Sequence, residues 1–372
     1  MKLTTERADL LSSLGHVQSV VERRNTIPIL SNVLLEAAEG GLSLTATDLD
    51  LAIVDRAPAE VAQEGATTTP AHTLFDIVRK LPDGAQVSLG LSEDGGRLNL
   101  TAGRSEFNLP CLPREDFPAM AEGELPHRFM IGGSELRRLI DKTRFAVSTE
   151  ETRYYLNGIY LHAAEAGGVA MLRAVATDGH RLARVDTPLP EGAAGIPGVI
   201  APRKAVGELR KLIEESDGAI EVALSDTKIR FAFDQAVLTS KLIDGTFPDY
   251  HRVIPEGNDK LMESDTKVFA EAVDRVSTVS TEKSRAVKLS LSQGRAVLAA
   301  NNPDSASASE EIAVSYDQEA IEIGFNSRYL LDITAQIEGD QTQFVLADAV
   351  SPTLVRDGND EGALYVLMPM RV

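Results

Sequence analysis

The chain repeats itself, and a repeat decides architecture before any single motif does. Val147-Ser148-Thr149-Glu150-Glu151-Thr152-Arg153 returns as Val279-Ser280-Thr281-Glu282-Lys283-Ser284-Arg285, with five of the seven positions identical. Upstream of each lies a stretch with helical spacing: Leu136, Leu139, Ile140 and Thr143 in one, Val268, Ala272, Val273 and Val276 in the other. Phe129 and Leu261 precede these stretches by seven residues, and Leu3 precedes Leu10, Leu14, Val17 and Val21 in the same way, which adds a third copy at the start of the chain. A second helical pattern, Leu74-Ile77-Leu81, recurs as Val206-Leu209-Leu212 and Leu330-Ile333-Ile337, each time followed by strand-like residues. Thr45-Ala46-Thr47-Asp48, Val175-Ala176-Thr177-Asp178 and Ala299-Ala300-Asn301-Asn302 supply a further set of landmarks.

Between the strands stand hairpin signals such as Ala38-Glu39-Gly40-Gly41, Glu93-Asp94-Gly95-Gly96 and Ala166-Gly167-Gly168, which favour antiparallel sheets over parallel ones. Phe117-Pro118 and Phe247-Pro248 punctuate the units, because the residue before proline is held out of the helical region. The expectation is an α+β chain of three tandem similar domains, 1–125, 126–257 and 258–372, each with two helices packed on antiparallel sheets. A repeat alone is also compatible with three domains on a string.

The 37 Lys and Arg against 56 Asp and Glu leave a net charge of −19, which argues against a chain that coats nucleic acid or anionic membrane. The single cysteine, Cys111, excludes a disulfide framework or thiolate metal cluster and fits a reducing cytoplasm. No apolar run approaches the ~18 residues of a membrane span, so a cytoplasmic protein without membrane contact is expected.

Enzyme signatures fail. No phosphate loop, GxGxxG, GxSxG, HExxH or CxxC is present, and the histidines are scattered without metal-ligand spacing, so neither cofactor nor metal is expected. Asp178 and His180 could suggest acid–base work and a hydrolase, but Asp178-Gly179 reads better as a turn, and Asp48 occupies the matching place with no histidine. The basic residues are segregated. Arg203, Lys204, Arg210 and Lys211 share neighbouring stripes of one helix, while Arg137, Arg138 and Lys142 mark another. Arg7, Arg23, Arg24, Arg79, Lys80, Lys267, Arg275, Lys283 and Arg285 mark matching helices, whereas residues 300–372 hold 13 acids against Arg328, Arg356 and Arg371. Basic helices in all three units point to a shared anionic ligand; a three-domain protein scaffold that never touches DNA is the competing reading.

Tyr154-Tyr155-Leu156-Asn157-Gly158, Ala176-Thr177-Asp178-Gly179-His180-Arg181-Leu182, Pro202-Arg203-Lys204, Thr239-Ser240-Lys241-Leu242, Phe247-Pro248-Asp249-Tyr250 and Met368-Pro369-Met370-Arg371-Val372 together resemble the bacterial DNA polymerase III beta subunit family, the sliding clamps, over the whole chain. The resemblance implies a non-catalytic processivity factor: a head-to-tail homodimer whose six domains ring duplex DNA, with helices lining the hole. Its implied partners are the polymerase III alpha subunit, the clamp loader, and other polymerases and repair proteins carrying clamp-binding peptides. A closed ring needs only a modestly positive lining, which reconciles the acidic total with DNA.

By position in the family, Arg24, Tyr154, Arg203 and Lys204 would face DNA; Arg137, Arg138 and Lys142 are added from helix placement alone. The partner-peptide pocket carries over onto Leu156, Thr177, Gly179, His180, Arg181, Leu182, Pro248, Arg252, Val253, Val350, Met368, Pro369, Met370 and Arg371. The dimer interface carries over onto Phe107 and Leu109 on one side and Thr278 and Val279 on the other. Thr278 stands where a bulkier aliphatic residue is common, so less apolar burial is expected there.

Overall fold

The computed structural model describes residues 1–120, 123–214, 218–280, 285–302 and 306–371. Thr281 to Ser284, including Lys283, and the terminal Val372 lie outside the described residues. Six α-helices are described: α1 (Arg7–Gln18), α2 (Ala71–Lys80), α3 (Gly133–Asp141), α4 (Arg203–Glu214), α5 (Thr266–Ser277) and α6 (Ser327–Thr334), two for each repeat. Among the described residues every strand pairing is antiparallel.

The chain forms two compact units, residues 1–137, 190–197 and 204–242 in one and 138–189, 198–203 and 243–372 in the other. The sheets explain this grouping, because strands of the middle repeat complete sheets begun by both neighbours. In the first unit an eight-stranded sheet runs from His127–Gly132 through Ala236–Lys241 and Leu51–Ala57 to Gly65–Pro70. Its seam pairs Leu238 with Ile53 and Thr239 with Ala52. In the second unit another eight-stranded sheet joins Arg181–Pro188 to Asp360–Leu367, with Leu182 opposite Val366 and Arg181 opposite Leu367. Each unit also carries a smaller sheet. The first ends at Ser105–Pro110 and the second at Ala306–Ala313, both edge strands within the chain.

The helices bury the faces that their periodicity predicts, with one correction. In the third repeat the inward residues are Met262 and Phe269, both fully buried, whereas Leu261 and Val268 are 40% and 44% exposed. The seven-residue lead survives, shifted by one position, because strand alternation and the α5 inner face both select the later pair. Sealing Phe269 among Ala272, Val273 and Val276 contributes about 2–3 kcal/mol.

The Thr-Asp landmark is a turn in both repeats where it can be compared. Thr177 Oγ1 donates to Arg181 O (2.7 Å) and accepts from Gly179 N (3.1 Å), while Asp178 Oδ1 accepts from His180 N (2.9 Å) and Arg181 N (3.0 Å). Thr47 and Asp48 repeat the same bonds to Leu51, Leu49 and Asp50. The third residue is left-handed in each, Gly179 at φ +88° and Leu49 at φ +80°. The acid therefore serves the fold, as its recurrence suggests.

Candidate peptide groove and basic surface

The second unit brings several candidate pocket residues to one end of its eight-stranded sheet. Thr177 and Leu182 flank the Asp178 turn, Arg181 pairs with Leu367 at the end of the ladder, and Leu367 also pairs with Thr353. Met368, Pro369 and Met370 therefore leave the sheet beside the Asp178 turn. Met368 N donates to His180 O (2.9 Å), and Met370 N donates to Gly324 O (2.8 Å). Val350 lies in the turn before Thr353, where Asp348 Oδ1 accepts from its backbone N–H at 2.8 Å.

Beneath this end lies a buried cluster of Leu156, Val175, Leu182, Ile200, Phe247, Tyr250, Leu354, Leu364 and Val366. Pro248, Arg252 and Val253 bracket Tyr250 on the 3-10 turn Tyr250–Val253, so the cluster anchors them. The residues above the floor stay open: Val253 is 43% exposed, Val350 76% and Met368 37%. Gly179 and His180 are exposed as well, and so is Arg371. Gly179 takes the left-handed angle without the strain that Leu49 bears in the matching turn, and a Cβ there would press on Arg153 Nη1 at 2.7 Å. An apolar floor with exposed aliphatic and methionine rims suits an extended peptide carrying apolar anchors.

Arg181 is not an open pocket donor. It is 8% exposed, pairs with Asp178 and Asp332, donates to Phe145 O and lies over the Tyr329 ring at 4.3 Å. Its part is to fix the turn that presents His180.

The basic residues separate sharply. Arg24 and Arg203 are exposed, and Tyr154 is 54% exposed on the 3-10 segment Glu151–Leu156. Lys204 differs: its ammonium binds Asp48 (2.6 Å), Glu22 (2.7 Å) and Val20 O (3.0 Å). Burial works against its charge, but those two carboxylates hold its pKa above the ordinary lysine value.

The three residues assigned from helix placement are corrected. Lys142 is 4% exposed and binds Asp360 (3.1 Å), Glu338 (3.3 Å) and Gln336 O (3.3 Å). Arg138 donates to both oxygens of Asp360 (2.7 and 2.9 Å) and to Asp186 O (2.7 Å). Arg137 turns its guanidinium to Ile213 O (3.4 Å), and its Nε is buried. Arg138 and Lys142 thus tie the middle repeat to the third. Despite the burial of Asp360, these two cations keep its pKa below the usual carboxylate range. Lys142→Met is expected to lower stability by about 2 kcal/mol in a denaturant melt while leaving DNA retention unchanged.

Phe107 is half-buried on the edge strand Ser105–Pro110, and Leu109 is 5% exposed. Thr278 caps α5 and is exposed, with Val279 half-buried after it. Among the described residues, no group of three His, Cys, Asp or Glu is placed to hold a metal ion, and no helix is long and apolar enough to cross a membrane.

Comparison with known proteins agrees in all three repeats. The N-terminal, central and C-terminal domain models of the DNA polymerase III beta subunit match residues 1–121, 130–249 and 251–371. The chain is 59% identical over 372 residues to the beta sliding clamp of Caulobacter vibrioides, covering 100% of both, and 39% identical over 373 residues to that of Escherichia coli K12, again covering 100% of both. A solved beta sliding clamp from Caulobacter crescentus superposes with a TM-score of 0.98 at 59% identity, covering 100% of this chain and 99% of that one. The Pseudomonas aeruginosa subunit superposes with a TM-score of 0.93 at 42% identity, with both chains covered in full.

Proposed function

Because this chain belongs to the DNA polymerase III beta subunit family, the beta sliding clamps, we propose that two copies join head to tail into a ring of six similar domains around duplex DNA. Its role is that of a sliding clamp, a processivity factor rather than an enzyme. The ring tethers the polymerase III alpha subunit to DNA, is placed there by a clamp loader, and receives other polymerases and repair proteins through short peptides, all from the cytoplasm. The three domains are bounded near 125 and 257.

The observation that carries the assembly is the pair of edge strands. Ser105–Pro110 and Ala306–Ala313 each pair on one side only within the described chain. An unpaired edge is a template for another chain, and a head-to-tail ring would set these two edges against each other at both joints. Phe107 and Leu109 would meet Thr278 and Val279 of the second copy.

Arg24, Tyr154 and Arg203 would touch phosphate without reading bases, with Lys204 contributing its charge from within its acidic cage. The groove binds partner peptides over Leu156, Thr177, Leu182, Pro248, Val253 and Met370, with Gly179, His180, Arg252, Val350, Met368, Pro369 and Arg371 around it.

The test is topological. Contact-based binding weakens steeply with salt, whereas a linked ring does not. Loaded on nicked circular DNA, the protein is expected to survive a high-salt wash and to be released when the circle is cut. Equal retention on circular and free-ended linear DNA would sink the ring.

A further inference from the structure

The Phe-Pro-Asp-Tyr motif ends in a side chain that the groove itself does not use. Tyr250 is 5% exposed and begins the 3-10 turn that carries Arg252 and Val253. Its hydroxyl meets two partners: Arg173 Nη1 donates to it at 3.1 Å, and His162 Nε2 lies 3.0 Å away. Arg173 is itself 3% exposed and bound to Asp186 by two bonds, Nε to Oδ1 at 2.6 Å and Nη2 to Oδ2 at 2.8 Å. The other imidazole nitrogen of His162, Nδ1, is 2.8 Å from Ala163 O.

Donor and acceptor accounting fixes the protons. A carbonyl oxygen only accepts, so His162 Nδ1 carries hydrogen and Nε2 of the neutral ring is an acceptor. Arg173 only donates, so the Tyr250 oxygen accepts from it and spends its own proton on Nε2. We propose that the chain Asp186–Arg173–Tyr250–His162 is a positioning device that holds the Tyr250–Val253 wall of the peptide groove, and that protonating His162 loosens that wall and weakens peptide binding. This rests on the groove being the peptide site.

A second proton on His162 would set two cations on one phenol oxygen and leave the Tyr250 proton without an acceptor. The surroundings oppose it. Burial pushes the His162 pKa below its ordinary value, and Arg173 and His251 add to this against the pull of Ala163 O and Asp186. Tyr160 stacks on the imidazole at 4.7 Å from its own strand, Tyr250 and His251 come from the turn, and Arg173, Arg184 and Asp186 come from the neighbouring strands. Because the folded pKa is depressed, the stabilisation is present above the unfolded value of about 6.5 and is lost as pH falls through the lower folded value.

The probe is a labelled, acetylated and amidated peptide with a Leu and a Phe and no titratable side chain, bound to the full-length protein between pH 5 and pH 8. Wild-type affinity is expected to fall about fivefold more over this range than that of Tyr250→Phe, which starts weaker and lacks the switch. His162→Gln offers an acceptor that does not titrate, so it should keep near-wild-type affinity at pH 8 and lose the response. Any fall shared by all three proteins arises outside this chain of side chains. Nitrogen NMR of His162 at pH 8 should show the neutral Nδ1-protonated ring. Parallel profiles for wild type and both variants, or a neutral ring protonated at Nε2, would overturn the device. Absence of wild-type binding at every pH would instead overturn the groove assignment.

Discussion

A chain ending at Leu367 is expected to lose partner-peptide binding by at least about a hundredfold while still folding, dimerising and staying on circular DNA. The cut removes Met368, Pro369 and Met370 from one rim and, among the described residues, costs the backbone bonds to His180 O and Gly324 O. The pairing of Arg181 with Leu367 and of Leu182 with Val366 stays intact, so the sheet keeps its seam. Terminal residues beyond the last strand are the cheapest to lose. The reverse separation comes from Arg24→Glu with Arg203→Glu, which should weaken DNA contact and leave peptide affinity unchanged. Titration of a labelled polymerase-tail peptide against both proteins decides the matter, and unchanged binding by the truncated chain would show that the tail is no part of the groove.

Phe107→Glu is expected to raise the dimer dissociation constant about a thousandfold, giving monomers at micromolar concentration in sedimentation. Phe107 is the side chain to change, because it is half-buried within its own chain and free to fill a partner. Leu109, only 5% exposed, already belongs to the chain's own core, so a charge there would unfold the sheet as well as part the dimer. A dimer that survives Phe107→Glu would mean that the copies meet elsewhere.

The repeated helices, the hairpins and the Thr-Asp turn were legible in the sequence because each depends on neighbours within about ten residues. The sheets that cross repeat boundaries were not. Nothing local in Asp360-Glu361-Gly362 announces that the start of this strand will bind Arg138 and Lys142, so a lysine on a basic helix looked like a phosphate contact when it was a buried tie. Lys204 shows the intermediate case: its helix position was plain, but Glu22 and Asp48 come from another repeat. The shift from Leu261 and Val268 to Met262 and Phe269 has a different cause. The two copies of the Val-Ser-Thr-Glu motif are offset by 132 residues, whereas the buried faces, Leu136 with Phe269 and Ile140 with Val273, are offset by 133, so a register taken from the motif lands one residue early.

The two seams also bear on how a clamp could be opened. Across each one the backbone ladder continues without interruption, Ala52 to Thr239 and Leu182 to Val366, reinforced in the second unit by the Arg138, Lys142 and Asp360 tie. To pry such a boundary apart would break a row of main-chain bonds in concert, as tearing woven cloth across its threads does. The edges at Ser105–Pro110 and Ala306–Ala313 have no covalent chain running through them. If the ring proposed above closes at these edges, parting one of its two joints would admit a duplex while the seams within each unit stay whole.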